Sequence, residues 1–280
     1  RKSILKADGL RTPTAASPWT LAEFNDALAK AKASGKYEYA LSLGTGWDGE
    51  WYPYGFSPLL QSFGGDLINR KTNKTAEGVL NGAAAVAWGK WFQNIFAQGL
   101  APKKETADQR DNGFVTGKIA YQWNGSWAAA TAAEKLGSDF IALPPPNLGT
   151  KAYIGGGSWQ WAVSSTCANK AGANAWLQFA LQTKYLAKFA DDLFNLPITA
   201  EATKASKTFG PSSKYADFAK FSATFALIRP ATPAYPVIAK VFETATKDII
   251  NGADVQKSLD SAVDQINKNL KDNYYYVKKK

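Results

Sequence analysis

Lys118-Ile119-Ala120-Tyr121-Gln122-Trp123-Asn124-Gly125-Ser126-Trp127 is the stretch on which the fold turns. Residues 118–123 read as a strand. Asn124-Gly125-Ser126 then bends the chain into an alanine-rich helix that carries Trp127. A strand delivered straight into a helix is the unit of α/β and α+β architectures, and the same alternation recurs along the chain. Upstream, Tyr37, Tyr39, Leu41 and Leu43 alternate with Glu38, Ala40 and Ser42, the pattern of a half-buried strand. That strand follows a helix opened at Thr20-Leu21-Ala22-Glu23, where Thr20 caps, Glu23 reaches back and Trp19 staples onto Phe24. The helix closes at Ser34-Gly35.

Between these strands, a Gly- and aromatic-rich loop over 44–58 leads into a helix running towards Gly64-Gly65. A second helix over about 81–98 sets Trp88, Trp91, Phe92, Ile95 and Phe96 on one stripe, which reads as core. Downstream, 139–143 reads as a short strand before Pro144-Pro145-Pro146, and Trp159, Trp161 and Val163 alternate as on one face of another. The end is helical: Val255, Leu259, Val263, Ile266 and Leu270 recur at helical spacing, opened near Asp254 just after a Gly252 suited to closing the helix before it.

The 280 residues include no His and a single cysteine, Cys167. This rules out Ser/His/Asp triads, Cys/His pairs, Cys/His zinc cages and intrachain disulfides. No run of about 18 apolar residues occurs. The net charge of +10 is concentrated at the ends: without Arg1, Lys2, Lys6 and Lys278–Lys280, 27 basic residues face 23 acidic ones. The scattered remainder argues against a nucleic-acid partner.

Three local signals bear on function. Gly44-Thr45-Gly46-Trp47-Asp48-Gly49 matches the G-x-G-x-x-G of dinucleotide sites, with Asp66 about twenty residues on. We discount it because Pro53, Gly55 and Pro58 should block the helix that such a loop must open, and Asp48 and Glu50 would repel phosphates. Secondly, Asp48 and Glu50 stand among Trp47, Trp51, Tyr52 and Tyr54. Paired carboxylates suit a glycosidase, but carboxylates beside aromatic faces equally suit a sugar-binding cleft, and an aromatic loop can also simply pack on its neighbours. The third signal is the pair Asn124-Gly125-Ser126-Trp127 and Gly155-Gly156-Gly157-Ser158-Trp159. In these, free helix amides, a stackable ring, and close backbone approach or a hinge compete with plain turn chemistry.

The order of these pieces resembles the extracellular solute-binding proteins of sugar ABC importers, the group containing the maltose-binding protein. The likeness runs from about Ile4 to Leu270. Lys6-Ala7-Asp8-Gly9-Leu10 precedes Trp19-Thr20-Leu21-Ala22-Glu23-Phe24; then come Phe63-Gly64-Gly65-Asp66-Leu67, Phe114-Val115-Thr116-Gly117-Lys118-Ile119-Ala120, Asn124-Gly125-Ser126-Trp127 and Asn195-Leu196-Pro197-Ile198. The resemblance implies an α/β, two-lobed, periplasmic-binding-protein-like fold of type II, closing on a carbohydrate with no chemistry and no cofactor or metal. It makes Trp127 a stacking platform and the 47–54 loop a second wall, with Tyr54 or Trp51 the contact. Gly156-Gly157-Ser158 and Trp159 fall where the chain crosses between lobes, and Arg229 to Tyr235 approach the cleft.

Two departures from the family pattern matter. An aromatic that maltose-binding members use further along is missing, which argues against maltose. Members also carry a long stretch before the segment matching Ile4 that builds most of the first lobe, so an incomplete first lobe is expected. Residues 1–158 and 204–280 would then belong to lobe two, with 159–203 a return segment of lobe one. The family further implies a monomer that docks on a membrane ABC permease, outside the cell or in the periplasm, held by a lipidated N-terminus absent from this chain.

Overall fold

The computed structural model describes residues 1–157 and 159–276. Its first half runs α1 (Lys2–Ala7), α2 (Leu21–Ala33), β1 (Tyr39–Ser42), a π-helical turn (Tyr52–Phe56), α3 (Ser57–Phe63), α4 (Ala83–Ala97), α5 (Ala107–Thr116), β2 (Ile119–Gln122) and α6 (Ala129–Leu136). There follow β3 (Ile154–Gly156), α7 (Lys170–Ala180), α8 (Thr183–Leu193), α9 (Ala200–Ala205), α10 (Ala216–Phe225), β4 (Ala226–Ile228), α11 (Tyr235–Asn251) and α12 (Val255–Asp272). The result is an α/β fold with two parallel strand pairs, β1 with β2 and β3 with β4. Among the described residues no helix is long and apolar enough to cross a membrane.

Local chemistry accounts for the elements that the sequence announces. Thr20 and Glu23 form a reciprocal capping box at α2, and Thr106 and Gln109 repeat it at α5. Gly252 closes α11 in the left-handed conformation, and the Asp254 carboxylate accepts the Lys257 N–H to open α12. On α4 the expected stripe is core: Trp88, Phe92, Ile95 and Phe96 are buried, Trp91 half-buried. Trp88 stacks on Phe92 at 5.4 Å and on Phe242 of α11 at 5.7 Å. One large core joins residues of the 4–148 region to α11 and α12, while a small separate cluster holds Ala152, Phe221 and Phe225.

Four expectations need correction. β1 is buried on both faces rather than alternating, because Ala40, Leu41, Ser42 and Leu43 are all enclosed, as parallel strands are. Residues 139–143 form no strand. Ile141 and Leu143 pack on the main core without a ladder, and the three prolines that follow cannot donate to one. Trp159, Trp161 and Val163 are not in a strand either; Trp161 packs on Trp176 at 4.8 Å instead. Finally, Pro53 and Pro58 do not block a helix: Pro53 falls in the first turn of the helical run, where no N–H is missed, and Pro58 is the second residue after the π-helical turn, whose altered register accommodates it.

Candidate functional site

The loop after β1, the π-helical turn and the turn after β2 bring the expected rings together. Because β1 and β2 are paired in parallel, their C-terminal ends lie side by side, and both chains leave the sheet at the same edge. Trp47, Trp51 and Tyr54 arrive from one exit and Trp127 from the other. Ring centroids lie 4.4 Å apart for Trp47–Trp51, 5.9 Å for Trp51–Tyr54, 6.3 Å for Tyr54–Trp127, 6.4 Å for Trp51–Trp127 and 6.5 Å for Trp47–Trp127. Within this group Trp51 is the floor. It is 8 % exposed, and its indole N–H donates to the Leu43 carbonyl at 3.0 Å. Trp127 is 41 % exposed, and Trp47 and Tyr54 are half-buried. The ring group is an open surface; cavities of about 570 and 190 Å³ lie elsewhere, beside Asn267 and Trp91 respectively.

Glu105, which the sequence reading missed, sets the loop's course. Its carboxylate is buried and accepts the backbone N–H of Leu43 at 2.7 Å and of Gly44 at 3.0 Å, and the Ser42 hydroxyl at 3.1 Å. Burial pushes this carboxyl up, with the three donors acting in the opposite direction. Within Gly44–Gly49 the Gly44 amide is thus spent on this internal carboxylate, the Gly49 amide on Glu243 and the Trp47 amide on the Gly44 carbonyl, which leaves no open row of donors for a phosphate. This, and not a helix-blocking proline, is what excludes the nucleotide reading. In the sequence, Lys103-Lys104-Glu105 reads as a solvated charge run; only the capping box beginning at the next residue marks the place.

The two candidate acids part company. Asp48 points to α11, where its Oδ1 lies 2.5 Å from Lys247 Nζ, and Lys247 also meets the buried Glu243 at 2.7 Å. Burial raises Glu243, but bonds from Lys247, the Gly49 N–H and Lys240 outweigh it and hold the carboxyl down to about 2. Glu50 stays beside the rings, 2.7 Å from Arg229 Nε, with the Tyr235 phenol donating to it at 2.7 Å. Burial first, and then that bond to Glu50, push the Tyr235 phenol well up. Neither acid sits in the apolar enclosure that a proton donor of a glycosidase needs.

The structure brings only some of the remaining expected residues to this group. Asn124 folds its amide oxygen onto the Gly125 N–H at 2.8 Å. Gly156 is buried, Gly157 is exposed, and Trp159, 97 % exposed, has none of the cluster's rings packed on it among the described residues. Ser158 lies outside the described residues. Gly155 runs beneath Tyr54 so closely that a β-carbon there would stand 2.4 Å from the Tyr54 carbonyl oxygen. Arg110, also unforeseen, lays its guanidinium over Trp47 at 5.1 Å while paired with Asp111. Among the described residues no cluster of three or more His, Cys, Asp or Glu is arranged to hold a metal.

Taken together, the site offers partly wet ring faces edged by the Glu50 carboxylate and the Arg229 guanidinium that holds it. Chemically, such a surface suits a flat, C–H-lined, hydroxyl-rimmed molecule.

Comparison with known proteins supplies the context. Residues 1–220 match the family described as bacterial extracellular solute-binding protein. No curated protein matches the chain. Among solved structures, an ABC transporter solute-binding protein from Thermotoga lettingae, bound with alpha-D-tagatose, is similar with TM-score 0.77 at 18 % identity, over 96 % of this chain and 68 % of that one. The GacH receptor of Streptomyces glaucescens, solved unliganded and with acarbose, gives 0.73 at 21 %, over 99 % and 68 %. A maltose-binding periplasmic protein from Listeria monocytogenes in complex with maltose gives 0.66 at 22 %, over 92 % and 68 %. The chain therefore spans about two thirds of the length of these structures, and at such identities the likeness establishes the fold.

Proposed function

The chain belongs to the bacterial extracellular solute-binding proteins, and on that footing we propose that it is the carbohydrate-binding component of an ABC importer. The observation that carries this reading is the convergence of Trp47, Tyr54 and Trp127 over Trp51, with Glu50 and Arg229 at the edge. Ring faces would cover the apolar face of a saccharide, and the half-exposed Glu50 carboxylate, held by Arg229, would meet its hydroxyls. Tagatose, acarbose and maltose in the similar structures support the same class of ligand. The closed, ligand-loaded form is then what a membrane permease recognises, with this component outside the cell and anchored by a lipid.

Residues 159–203 are read as a segment of a different lobe from the one holding the rings. Trp161, Trp176, Phe179, Phe189, Leu193 and Ile198 stand roughly half exposed or more, and α7, α8 and α9 contribute nothing to the main core. An exposed apolar side of this extent is the kind of surface that another part of a fold or a partner covers.

Titration calorimetry against a panel of neutral mono- and oligosaccharides tests the proposal. Binding by the wild type and a loss of about 2 kcal/mol, about thirtyfold in affinity, in Trp127→Ala is the expected result. No heat with any sugar counts against it. The glycosidase alternative using Asp48 and Glu50 predicts cleaved products after incubation with oligosaccharides; a binder returns them intact.

A further inference from the structure

The chain enters the 159–225 segment through β3 and leaves it through β4, and these two three-residue strands pair in parallel, Ile154 opposite Ala226 and Gly156 opposite Ile228. Next after β4 comes Arg229. Its Nη1 donates to the Gly156 carbonyl at the end of β3, its Nε lies 2.7 Å from Glu50, and its guanidinium covers the Tyr54 ring at 5.0 Å. Its side chain is only 21 % exposed. Glu50, in turn, is held by Tyr235 in the first turn of α11. One side chain, borne by the residue that follows β4, therefore ties the end of β3 to two residues of the loop that carries the rings.

We propose that Arg229 is a positioning residue that couples the ring surface to the β3–β4 crossing, so that the two tighten or loosen together, rather than a direct ligand contact. A planar fork with fixed donors can do this where a point charge cannot: one edge is committed to Glu50, another to Gly156, and the face to Tyr54. The groups facing the guanidinium are then all internal, leaving little of it for a bound molecule. Its bearing on ligand binding rests on the function proposed above; the coupling itself does not.

Amide hydrogen exchange on the ligand-free full chain decides it, comparing wild type, Arg229→Met, Glu50→Gln and the double variant. Among the described residues no hydrogen bond or ion pair joins Glu50 to β3 or β4, yet Glu50→Gln is expected to speed exchange at Gly155–Gly157 and Ala226–Ile228 about tenfold, with the thermal midpoint lowered by no more than about 4 °C. The double variant should exchange there no faster than Arg229→Met alone, and Arg229→Lys should fail to restore protection. Confinement of the Glu50→Gln effect to its own loop, or additive effects in the double variant, overturns the coupling. Should Arg229→Met not fold, Glu50→Gln alone still decides. Failure to bind any sugar would count against the proposed function and leave this measurement intact.

Discussion

The Tyr235 phenol oxygen lies 2.7 and 2.8 Å from the two carboxylate oxygens of Glu50, its one proton shared between them, across 185 residues of sequence. This contact fastens the first turn of α11 to the loop that carries Trp47 and Trp51. Because Glu50 is about half exposed, water replaces the lost donor when the hydroxyl is removed. Tyr235→Phe should therefore lower unfolding free energy by about 1 kcal/mol in urea titration. A loss above about 3 kcal/mol would mean that the phenol supports more of the structure than this bond.

Trp51 and Trp127 belong to the same ring group yet should respond oppositely to truncation. Trp51→Ala removes a nearly buried indole and its bond to Leu43, at a cost of about 3–5 kcal/mol in stability. For Trp127→Ala the thermal midpoint should hardly move, while carbohydrate affinity falls. Equal destabilisation by the two would make Trp127 a core residue.

Gly155 admits no side chain. The β-carbon of Gly155→Ala would stand 2.4 Å from the Tyr54 carbonyl oxygen and 2.9 Å from its ring, so strand and ring must separate. A stability loss of about 1–3 kcal/mol is expected, with weaker sugar binding as Tyr54 shifts. An unchanged melting curve would show that the strand yields freely.

Acid should destabilise the protein through Glu243. Its carboxyl lies at about 2 when folded against an ordinary 4.5, so the stabilisation from its bonds is complete above pH 4.5 and is lost as pH falls from there through about 2. Glu105 has the opposite sign: its carboxyl is raised by burial, so its contribution weakens as pH rises through that raised value. In pH-dependent denaturant unfolding, Glu243→Gln should flatten the acid limb. A variant curve parallel to wild type below pH 4.5 would remove Glu243 as its cause.

Much of this architecture was legible in local pattern. The α2 capping box, the α4 aromatic stripe, and the Gly252 and Asp254 caps follow from adjacent residues whose chemistry has one good solution. The ring group was legible too, since Trp47, Trp51 and Tyr54 are sequence neighbours and Trp127 follows a recognisable turn. What sequence could not show is which partner a charge selects across space. Asp48 and Glu50 are two residues apart but pair with Lys247 and Arg229 on separate elements, and Glu105 looks like a surface charge until β1 closes over it. Strands failed where neighbours decide: 139–143 and 159–163 have strand-like composition, but no partner backbone lies alongside to complete a ladder.

The half-exposed rings of residues 161–189 form a greasy flank, Trp161 on Trp176 at 4.8 Å and Phe179 on Tyr185 at 4.3 Å. Left bare, a flank of this kind governs the colloidal behaviour of the chain in a test tube: light scattering should climb with concentration, and a mild detergent should suppress the climb without altering the near-ultraviolet spectrum.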